Sequence, residues 1–298
     1  MSTNGHIPVL LEEVMNYMEI MREGVYVDCT IGLGGHAFEI VKRNPKAHLI
    51  GFDIDETSLL KAKEKLKPYT DRVELYLSDF RYLPDLKIDF SRTKGILLDL
   101  GVSSFQLDSP ERGFSFNKEG PLDMRMDLRN RTTAHRVINK YSEHHLGQIF
   151  HEYGELKQAR RLAREIVSRR KSEKIETTVQ LRRIAEQVCR WRPQKGKIHP
   201  AAKLFQSIRI EVNQELKSLS GFLERIFQKI PKKARITAIS FHSLEDRIIK
   251  HTFSALAVPK NSHPDFKILT KKPLIPSEEE IAKNFRSRSA KLRAGEKI

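Results

Sequence analysis

Two stretches decide the fold: Asp28-Cys29-Thr30-Ile31-Gly32-Leu33-Gly34-Gly35-His36 and Gly51-Phe52-Asp53-Ile54-Asp55. The first places three glycines after an apolar segment, and the second ends the next apolar segment with an acid. In an open parallel sheet, such glycines let the backbone close on a ligand, and the acid accepts hydrogen bonds from ribose hydroxyls. The spacing predicts a nucleoside site. By itself it does not separate a dinucleotide from S-adenosylmethionine.

Apolar segments typical of strands alternate with helical patterns through the first hundred residues. The predicted strands and helices occupy 25–29, 35–43, 47–53, 57–66, 73–77 and 95–100. This rhythm is typical of a parallel sheet with helices on both faces. After residue 101 it stops, and basic helical patterns follow, including 154–170 and 178–190.

The α/β pattern returns in the last third of the chain. Apolar residues spaced three and four apart predict one long amphipathic helix over 204–226, then a strand at 235–240. We therefore predict an α/β fold in which a sheet domain, residues 1–108 and 203–298, is interrupted by an all-helical insertion, residues 109–202.

Positive charge is concentrated in two segments. The chain has 298 residues, with 54 Lys and Arg against 38 Asp and Glu, for a net charge of +16. Residues 125–200 hold 19 basic and 8 acidic residues, 283–298 hold 6 and 1, and the remainder sums to zero. This asymmetry favours a polyanionic partner, with a solvated helical surface as the alternative. Within the second segment, Ser287-Arg288-Ser289 can be disordered when no partner is bound.

Cysteine usage and hydropathy indicate the compartment. Cys29 and Cys189 form neither a disulfide framework nor a zinc-ligand pattern, which favours a reducing compartment. The start lacks a signal pattern, and no segment approaches about 18 apolar residues. We expect a cytoplasmic protein with no membrane partner and no bound metal. The sequence does not decide between a monomer and a homodimer.

The segment 97–104 supplies the candidates for chemistry. Asp99 ends the fourth predicted strand, and ligands of open α/β sheets bind beyond the carboxyl ends of the strands. A carboxylate there can accept a hydrogen bond from an amine that attacks an electrophilic methyl group, with help from Ser103 or Ser104. A loop-stabilising acid is the alternative. Gln106 can close over the ligand through its amide.

Two further positions follow strands. Phe80, after the third strand, can stack on an adenine or pack in the core, and Asp79 can contact the adenine edge or stabilise a turn. His242, after the fifth strand, is either a substrate contact or a neighbour of a helix N-cap formed by Ser243, with Asp246 in the capping-box position.

Several longer stretches resemble the RsmH (formerly MraW) family of bacterial methyltransferases, which act on N4 of a cytidine in the decoding region of small-subunit ribosomal RNA. These stretches are His6-x-Pro8-Val9-Leu10, Gly32-x-Gly34-Gly35-His36, Asp99-Leu100-Gly101-Val102-Ser103-Ser104, Glu111-Arg112-Gly113-Phe114-Ser115-Phe116, Gly120-Pro121-Leu122-Asp123-Met124-Arg125-Met126-Asp127, His199-Pro200-Ala201, Phe205-Gln206 to Leu216, and Ser240-Phe241-His242-Ser243-Leu244-Glu245-Asp246-Arg247. The agreement extends from His6 to about Arg293. Phe105, Leu156 and Phe285 depart from the family's pattern.

The resemblance implies a class I (Rossmann-like) methyltransferase fold, S-adenosylmethionine as cofactor and 16S ribosomal RNA in the small subunit as partner. It implies cofactor contacts at Gly34, Gly35, His36, Asp53, Phe80, Asp99 and Gln106. The catalytic candidates are Asp99, Ser103 and Ser104. The substrate-binding candidates are Arg112, Phe114, Arg125 and His242. For Arg125, the alternative to a phosphate or base contact is an ordinary salt bridge.

Other functions stay open at this point. The chain can be an amino-methyltransferase of DNA or another RNA, or a non-catalytic RNA-binding assembly factor that keeps a vestigial pocket. A nicotinamide dehydrogenase is a third alternative, although the glycine stretch lacks the full G-x-G-x-x-G pattern. Methylation at carbon 5 needs an attacking cysteine, usually after a proline, and neither cysteine follows one.

Overall fold

The computed structural model describes residues 8–194, 197–258 and 265–298, so His6 lies outside the described residues. The chain forms two compact units. The first unit comprises residues 1–101 and 218–298, and the second comprises residues 102–217. Across the described ranges, no helix has both the length and the apolar character needed to cross a bilayer.

A seven-stranded sheet forms the centre of the first unit. Its strands are β1 (Gly24–Asp28), β2 (Ala47–Asp53), β3 (Val73–Leu77), β4 (Thr93–Asp99), β5 (Arg235–Ser240), β6 (Phe266–Ile268) and β7 (Lys291–Lys297). They are ordered β3-β2-β1-β4-β5-β7-β6. The first five strands run parallel, and β7 runs antiparallel to both β5 and β6. The predicted α/β class is confirmed by this order.

The helices cover both faces of the sheet in the first unit and form the second unit. Their bounds are α1 (Leu11–Tyr17), α2 (Gly35–Arg43), α3 (Glu56–Lys65), α4 (Ser104–Asp108), α5 (Ala134–Lys140), α6 (Glu143–Glu152), α7 (Ala159–Arg169), α8 (Thr178–Val188), α9 (Pro200–Asn213), α10 (Leu219–Lys229), α11 (Ser243–Leu256) and α12 (Glu278–Lys283). Along β4, Ile96 and Leu98 pack with α10 and α11, whereas Leu97 packs with α1 to α3. Successive strand residues thus bury opposite faces, which explains the uninterrupted apolar segments.

The second unit is helical, with a long irregular segment between α4 and α5. Helix α9 packs against α5, α6 and α8, so it belongs to this unit rather than to the sheet domain. Our predicted boundaries, 108/109 and 202/203, therefore differ from the observed ones. Residues 102–108 and 203–217 group with the inserted unit.

The predicted single helix over 204–226 is wrong. Helix α9 ends at Asn213 and α10 begins at Leu219, because Gln214 and Ser218 adopt left-handed conformations with φ of 51° and 62°. An α-helix cannot continue through such residues. The apolar spacing runs across the break, so periodicity alone could not reveal it.

The basic segment 283–298 is structured. Ser287-Arg288-Ser289, for which the sequence allowed disorder, belong to the 3₁₀ turn Phe285–Ser289. Residues 291–297 form β7, in which Leu292 and Ala294 are buried in the core cluster that also contains residues of α1 to α3. Arg293 is buried as well, and its Nε donates to Asp246 Oδ1 at 2.7 Å. Part of the positive charge that we assigned to a partner is therefore neutralised inside the fold.

Candidate active site

Three carboxylates end three neighbouring strands of the first unit. Asp28 ends β1, Asp53 ends β2 and Asp99 ends β4, and these strands are adjacent in the order β2-β1-β4. Because the strands are parallel, the three acids lie along one edge of the sheet, which we call the carboxyl edge. Sequence reasoning gave Asp28 no role, although an acid closing an apolar strand was the available signal.

The glycine turn lies between β1 and α2. Gly34 has φ of 75°, and a Cβ there would lie 3.3 Å from Ala62; a Cβ on Gly35 would lie 2.7 Å from Pro8. Packing therefore explains both glycines that we assigned to the cofactor. A Cβ on Gly32 would have its nearest neighbour 3.9 Å away, so the space next to the turn is unfilled at this residue.

Asp53 organises this turn. Its Oδ2 accepts from the Gly32 amide and its Oδ1 accepts from the Asp55 amide, both at 2.8 Å. Each carboxylate oxygen has a second lone pair, which can accept a ribose hydroxyl. Partial burial raises the pKa of Asp53 to about 6, while the two backbone hydrogen bonds lower it. The group is thus mostly ionised at neutral pH.

Asp99 is held by its backbone and leaves one side-chain oxygen without a partner. Its amide donates to Thr30 Oγ1 at 2.6 Å, which links the ends of β4 and β1. Its Oδ1 is buried and accepts no hydrogen bond from the part of the chain that the structure describes, although the side chain as a whole is 23% exposed. An orphaned buried carboxylate oxygen is costly, so a site of this kind is suited to an incoming donor.

His36 lies beside Asp99, at the start of α2. Its Nε2 is 2.9 Å from the carbonyl oxygen of Val9, so Nε2 carries a proton and donates to that carbonyl. Its Nδ1 is then directed to Asp99 Oδ2, at 3.6 Å. His36 is buried, and its ring orientation is fixed between these two groups.

The carboxyl edge has an acidic character that a cationic ligand would relieve. Burial, then the charges of Asp28 and Glu245, raise the pKa of Asp99 well above its usual range. Burial also raises the pKa of Asp28 to about 7, with a smaller contribution from Asp53. Among the described residues, no lysine or arginine lies within ion-pair distance of Asp28, Asp53 or Asp99. These three carboxylates fit a nucleoside that carries a positive charge.

Phe80 and Asp79 follow β3 at the same edge. The Phe80 ring packs edge-on against Phe222 with centroids 4.9 Å apart, and it remains half-buried. Asp79 caps the short 3₁₀ turn by accepting from the Arg81 amide at 2.9 Å, and it pairs with the Arg81 side chain. The turn-stabilising interpretation of Asp79 thus accounts for its contacts.

His242 begins α11. Its Nδ1 accepts from the Glu245 amide at 3.4 Å, and Glu245 Oε2 accepts from the Phe241 amide at 2.9 Å. His242 Nε2 is 3.2 Å from Glu245 Oε1, in a geometry that makes no hydrogen bond. The N-cap is therefore His242 and not Ser243, and Asp246 pairs with Arg293 instead of completing a capping box.

Ser103, Ser104 and Gln106 belong to the second unit. Ser103 Oγ accepts from the Gln106 amide at 3.2 Å, and Gln106 Oε1 accepts from the Ser103 amide at 3.0 Å. The two residues form a capping box around α4, which Ser104 begins. This contact occupies the Gln106 carbonyl that we expected to close over a ligand.

Three of our substrate candidates make contacts within the second unit: Arg112, Phe114 and Arg125. Arg112 is buried; its Nη2 donates to the carbonyls of Arg125 and Met126 at 2.9 and 3.1 Å, and Phe114 is buried near its guanidinium. Arg125 pairs with Asp123, with its Nη2 2.7 Å from Oδ2. Its Nη1 donates to the carbonyls of residues 128 and 130. The salt-bridge alternative accounts for Arg125.

Comparisons with known proteins identify the family of this chain. The sequence profile of the MraW methylase family matches residues 3–298. Proteins named ribosomal RNA small subunit methyltransferase H are similar over nearly their full length. The one from Carboxydothermus hydrogenoformans is 46% identical over 99% of this chain and 98% of its own, and that from Sulfurihydrogenibium azorense is 45% identical over 98% and 99%.

Among solved structures, an rRNA methylase from Streptococcus thermophilus superposes with a TM-score of 0.44 and 10% identity, over 99% of each chain. The family profile and the full-length relatives confirm the resemblance that the sequence motifs indicated. The chain belongs to the MraW methylase family.

Proposed function

We propose that this chain transfers a methyl group from S-adenosylmethionine to the exocyclic N4 amine of a cytidine in the decoding region of 16S ribosomal RNA, at position 1402. Membership of a methylase family and the names of the relatives support methyl transfer to small-subunit RNA. The observation that carries the amine chemistry is the unpartnered Oδ1 of Asp99 at the carboxyl edge.

The residues of the first unit fit this methyl donor. Asp53 accepts hydrogen bonds from the ribose hydroxyls. The backbone of Gly32 borders the unfilled space next to the turn. The three carboxylates complement the charge of a sulfonium. When bound, the cofactor supplies an electrophilic methyl group. The protein's part is to orient the acceptor and to receive a proton.

In this proposal Asp99 orients the cytosine amine, which accepts the methyl group. The lone pair of a cytosine amine is shared with the ring, so the amine must be held at near-attack distance and must lose a proton as the N–C bond forms. Oδ1 accepts a hydrogen bond from one N–H, which directs the nitrogen lone pair toward the methyl carbon. The raised pKa of Asp99 makes this carboxylate a better proton acceptor than an ordinary aspartate.

The second unit supplies charge for the RNA. Residues 102–217 contain 24 Lys and Arg against 14 Asp and Glu. On α7, Arg160 and Arg164 are exposed on the surface of this unit. We assign recognition of the small-subunit RNA to this unit. A ribosomal substrate also places the protein in the cytoplasm, and both a monomer and a homodimer agree with the proposal.

The test is methyl transfer by the purified protein. We expect radiolabel from S-adenosylmethionine to enter 30S subunits, and mass spectrometry to place the group on N4 of the cytidine at position 1402. Naked 16S RNA and duplex DNA are the comparison substrates. Preferred labelling of DNA or of another RNA would indicate the other amino-methyltransferase function. Binding of RNA with no binding of the methyl donor would indicate an assembly factor.

A further inference from the structure

Phe285 is an exposed aromatic side chain in a basic turn of the first unit. Its side chain is 64% exposed, and the guanidinium carbon of Arg288 lies 4.3 Å from the centre of its ring. At this distance the guanidinium covers one face of the ring. The high exposure of Phe285 leaves the other face accessible to solvent.

The backbone of this turn is fixed. Residues Phe285–Ser289 form a 3₁₀ turn, and Asn284 caps it by accepting from the Arg286 amide at 3.2 Å. Ser287 is buried, and its Oγ donates to the Asn284 carbonyl at 2.8 Å. The ring is therefore presented on a structured support, which lowers the entropy lost when it binds a partner.

The sheet register places this turn at the carboxyl edge. Asp99 on β4 pairs with Ile239 on β5, and Ile239 pairs with Leu292 on β7. Since β7 runs antiparallel, its first residue, Lys291, pairs with Ser240 at the carboxyl end of β5. Only Ala290 separates the turn from Lys291, so the turn lies at the carboxyl edge, next to the start of β7. Leu292, the β7 residue in register with Asp99, lies about two strand spacings, roughly 10 Å, across the sheet from it.

The charges around the turn favour a polyanion. Arg288 makes no ion pair among the described residues, and Arg286 beside it is exposed. The nearest acids along the chain are on α12. Of these, Glu279 pairs with Lys283 at 2.6 Å, and Glu280 accepts from the Leu10 amide at 2.8 Å. Two of the three acids of α12 are thus already engaged.

We propose that Phe285 and Arg288 form a stacking platform for an unpaired RNA base that flanks the methylated nucleotide. This inference rests on the proposed function. An amine can reach a methyl donor only when its base has left the stack, so the neighbouring base loses a stacking partner. An exposed aromatic ring replaces that partner for any base, and arginine adds a cation–π contact and a charge for the phosphate.

The experiment uses the full chain and a synthetic RNA hairpin carrying the sequence around the target cytidine. 2-Aminopurine replaces each base flanking the target in turn, because its fluorescence is quenched by stacking. We expect binding of the protein to quench at least one of these positions. Phe285→Ala should abolish that quenching and raise the Kd for the hairpin about 5- to 100-fold. Phe285→Trp should retain the quenching and the wild-type affinity for the hairpin.

The matched control is Met21→Ala. Met21 is 72% exposed and precedes β1, at the opposite edge of the sheet, so its loss should leave RNA affinity unchanged. The affinity of each variant for S-adenosylmethionine, measured by calorimetry, checks that the binding site for the methyl donor is intact. If the wild type methylates the RNA but Phe285→Ala binds it as tightly as Met21→Ala does, the platform is refuted. If the wild type methylates no RNA at all, the proposed function fails instead.

Discussion

One charged side chain in each unit shows a contrast: Asp99 in the first unit and Arg125 in the second differ in how their polar atoms are satisfied. At the carboxyl edge of the first unit, Asp99 keeps a buried oxygen without a partner and an elevated pKa. In the second unit, Arg125 is paired with Asp123 and also donates to two backbone carbonyls. A buried carboxylate oxygen without a partner, in a group whose pKa is strongly raised, is typical of functional sites. We infer that Asp99 serves chemistry and Arg125 serves structure.

The largest expected effect is on turnover by Asp99→Ala. Loss of the group that orients the amine and accepts its proton should lower kcat by about 10²- to 10⁴-fold. Affinity for S-adenosylmethionine, measured by calorimetry, should change far less. Asp85→Asn, at an exposed acid paired with Arg225, is the control and should keep normal turnover. Near-normal turnover of Asp99→Ala would refute its catalytic role.

The next effect is on stability, by Asp28→Asn. The folded-state pKa of Asp28, about 7, exceeds its ordinary value of 3.8, so the folded protein holds this proton more tightly than the unfolded chain does. Its stabilising contribution is complete below pH 4 and is lost as the pH rises toward 7. Asn cannot ionise. Relative to wild type, the variant should therefore gain about 3 kcal/mol in unfolding free energy between pH 5 and pH 8.

Urea unfolding at the two pH values measures this difference. Asp71→Asn, at an exposed carboxylate, is the matched control, and its effect should be nearly independent of pH. A gain for Asp28→Asn that is equal at both pH values would show that the Asp28 carboxyl does not carry the raised pKa.

Arg125→Ala tests the structural side of the comparison. Removing the guanidinium leaves Asp123 without its partner and two carbonyls without a donor, so the unfolding free energy should fall by about 3 kcal/mol. The double variant Asp123→Ala/Arg125→Ala should recover part of that loss. Arg160→Ala, at an exposed residue of α7, should cost less than about 0.5 kcal/mol. Full stability of Arg125→Ala together with lost RNA binding would reverse our assignment.

A smaller effect is expected in the binding of the methyl donor. A sulfonium near Asp28, Asp53 and Asp99 favours their ionised forms, so binding should release protons and tighten as the pH rises from 5.5 to 7.5. We expect roughly a tenfold gain in affinity over that range. S-Adenosylhomocysteine has the same nucleoside without the positive charge, so its affinity should vary less. Equal pH dependence for both ligands would contradict an electrostatic origin.

Strand alternation predicted the centre of the first unit well. The segments that became β1 to β5 were each recognisable. The central strands β1, β4 and β5 are largely apolar because both of their faces are buried, and the half-buried edge strand β3 is apolar except at Glu74. Residues 35–43, 47–53 and 73–77 match the observed elements end to end. The acids Asp53 and Asp99 followed from their place at the strand ends.

Other features depended on contacts that no local pattern expresses. β7 resembles a basic tail, because only its partners show that Leu292 and Ala294 are buried and that Arg293 meets Asp246. The same limit applies to Arg112, whose hydrogen-bond acceptors lie 13 and 14 residues away along the chain. Sequence reasoning therefore assigned the charges of these basic segments to an external partner, although the fold itself supplies hydrogen-bond acceptors for Arg112 and Arg293.

The position of the second unit in the chain also affects biosynthesis. β4 ends at Asp99 and its neighbour β5 begins at Arg235, with residues 102–217 made in between. At about 5–20 residues per second, a ribosome needs roughly 7–27 s to cover this gap, during which the β4 edge has no strand to pair with. The early half of the sheet is then open to aggregation, so we expect chaperone dependence to be greatest while the insertion is being translated.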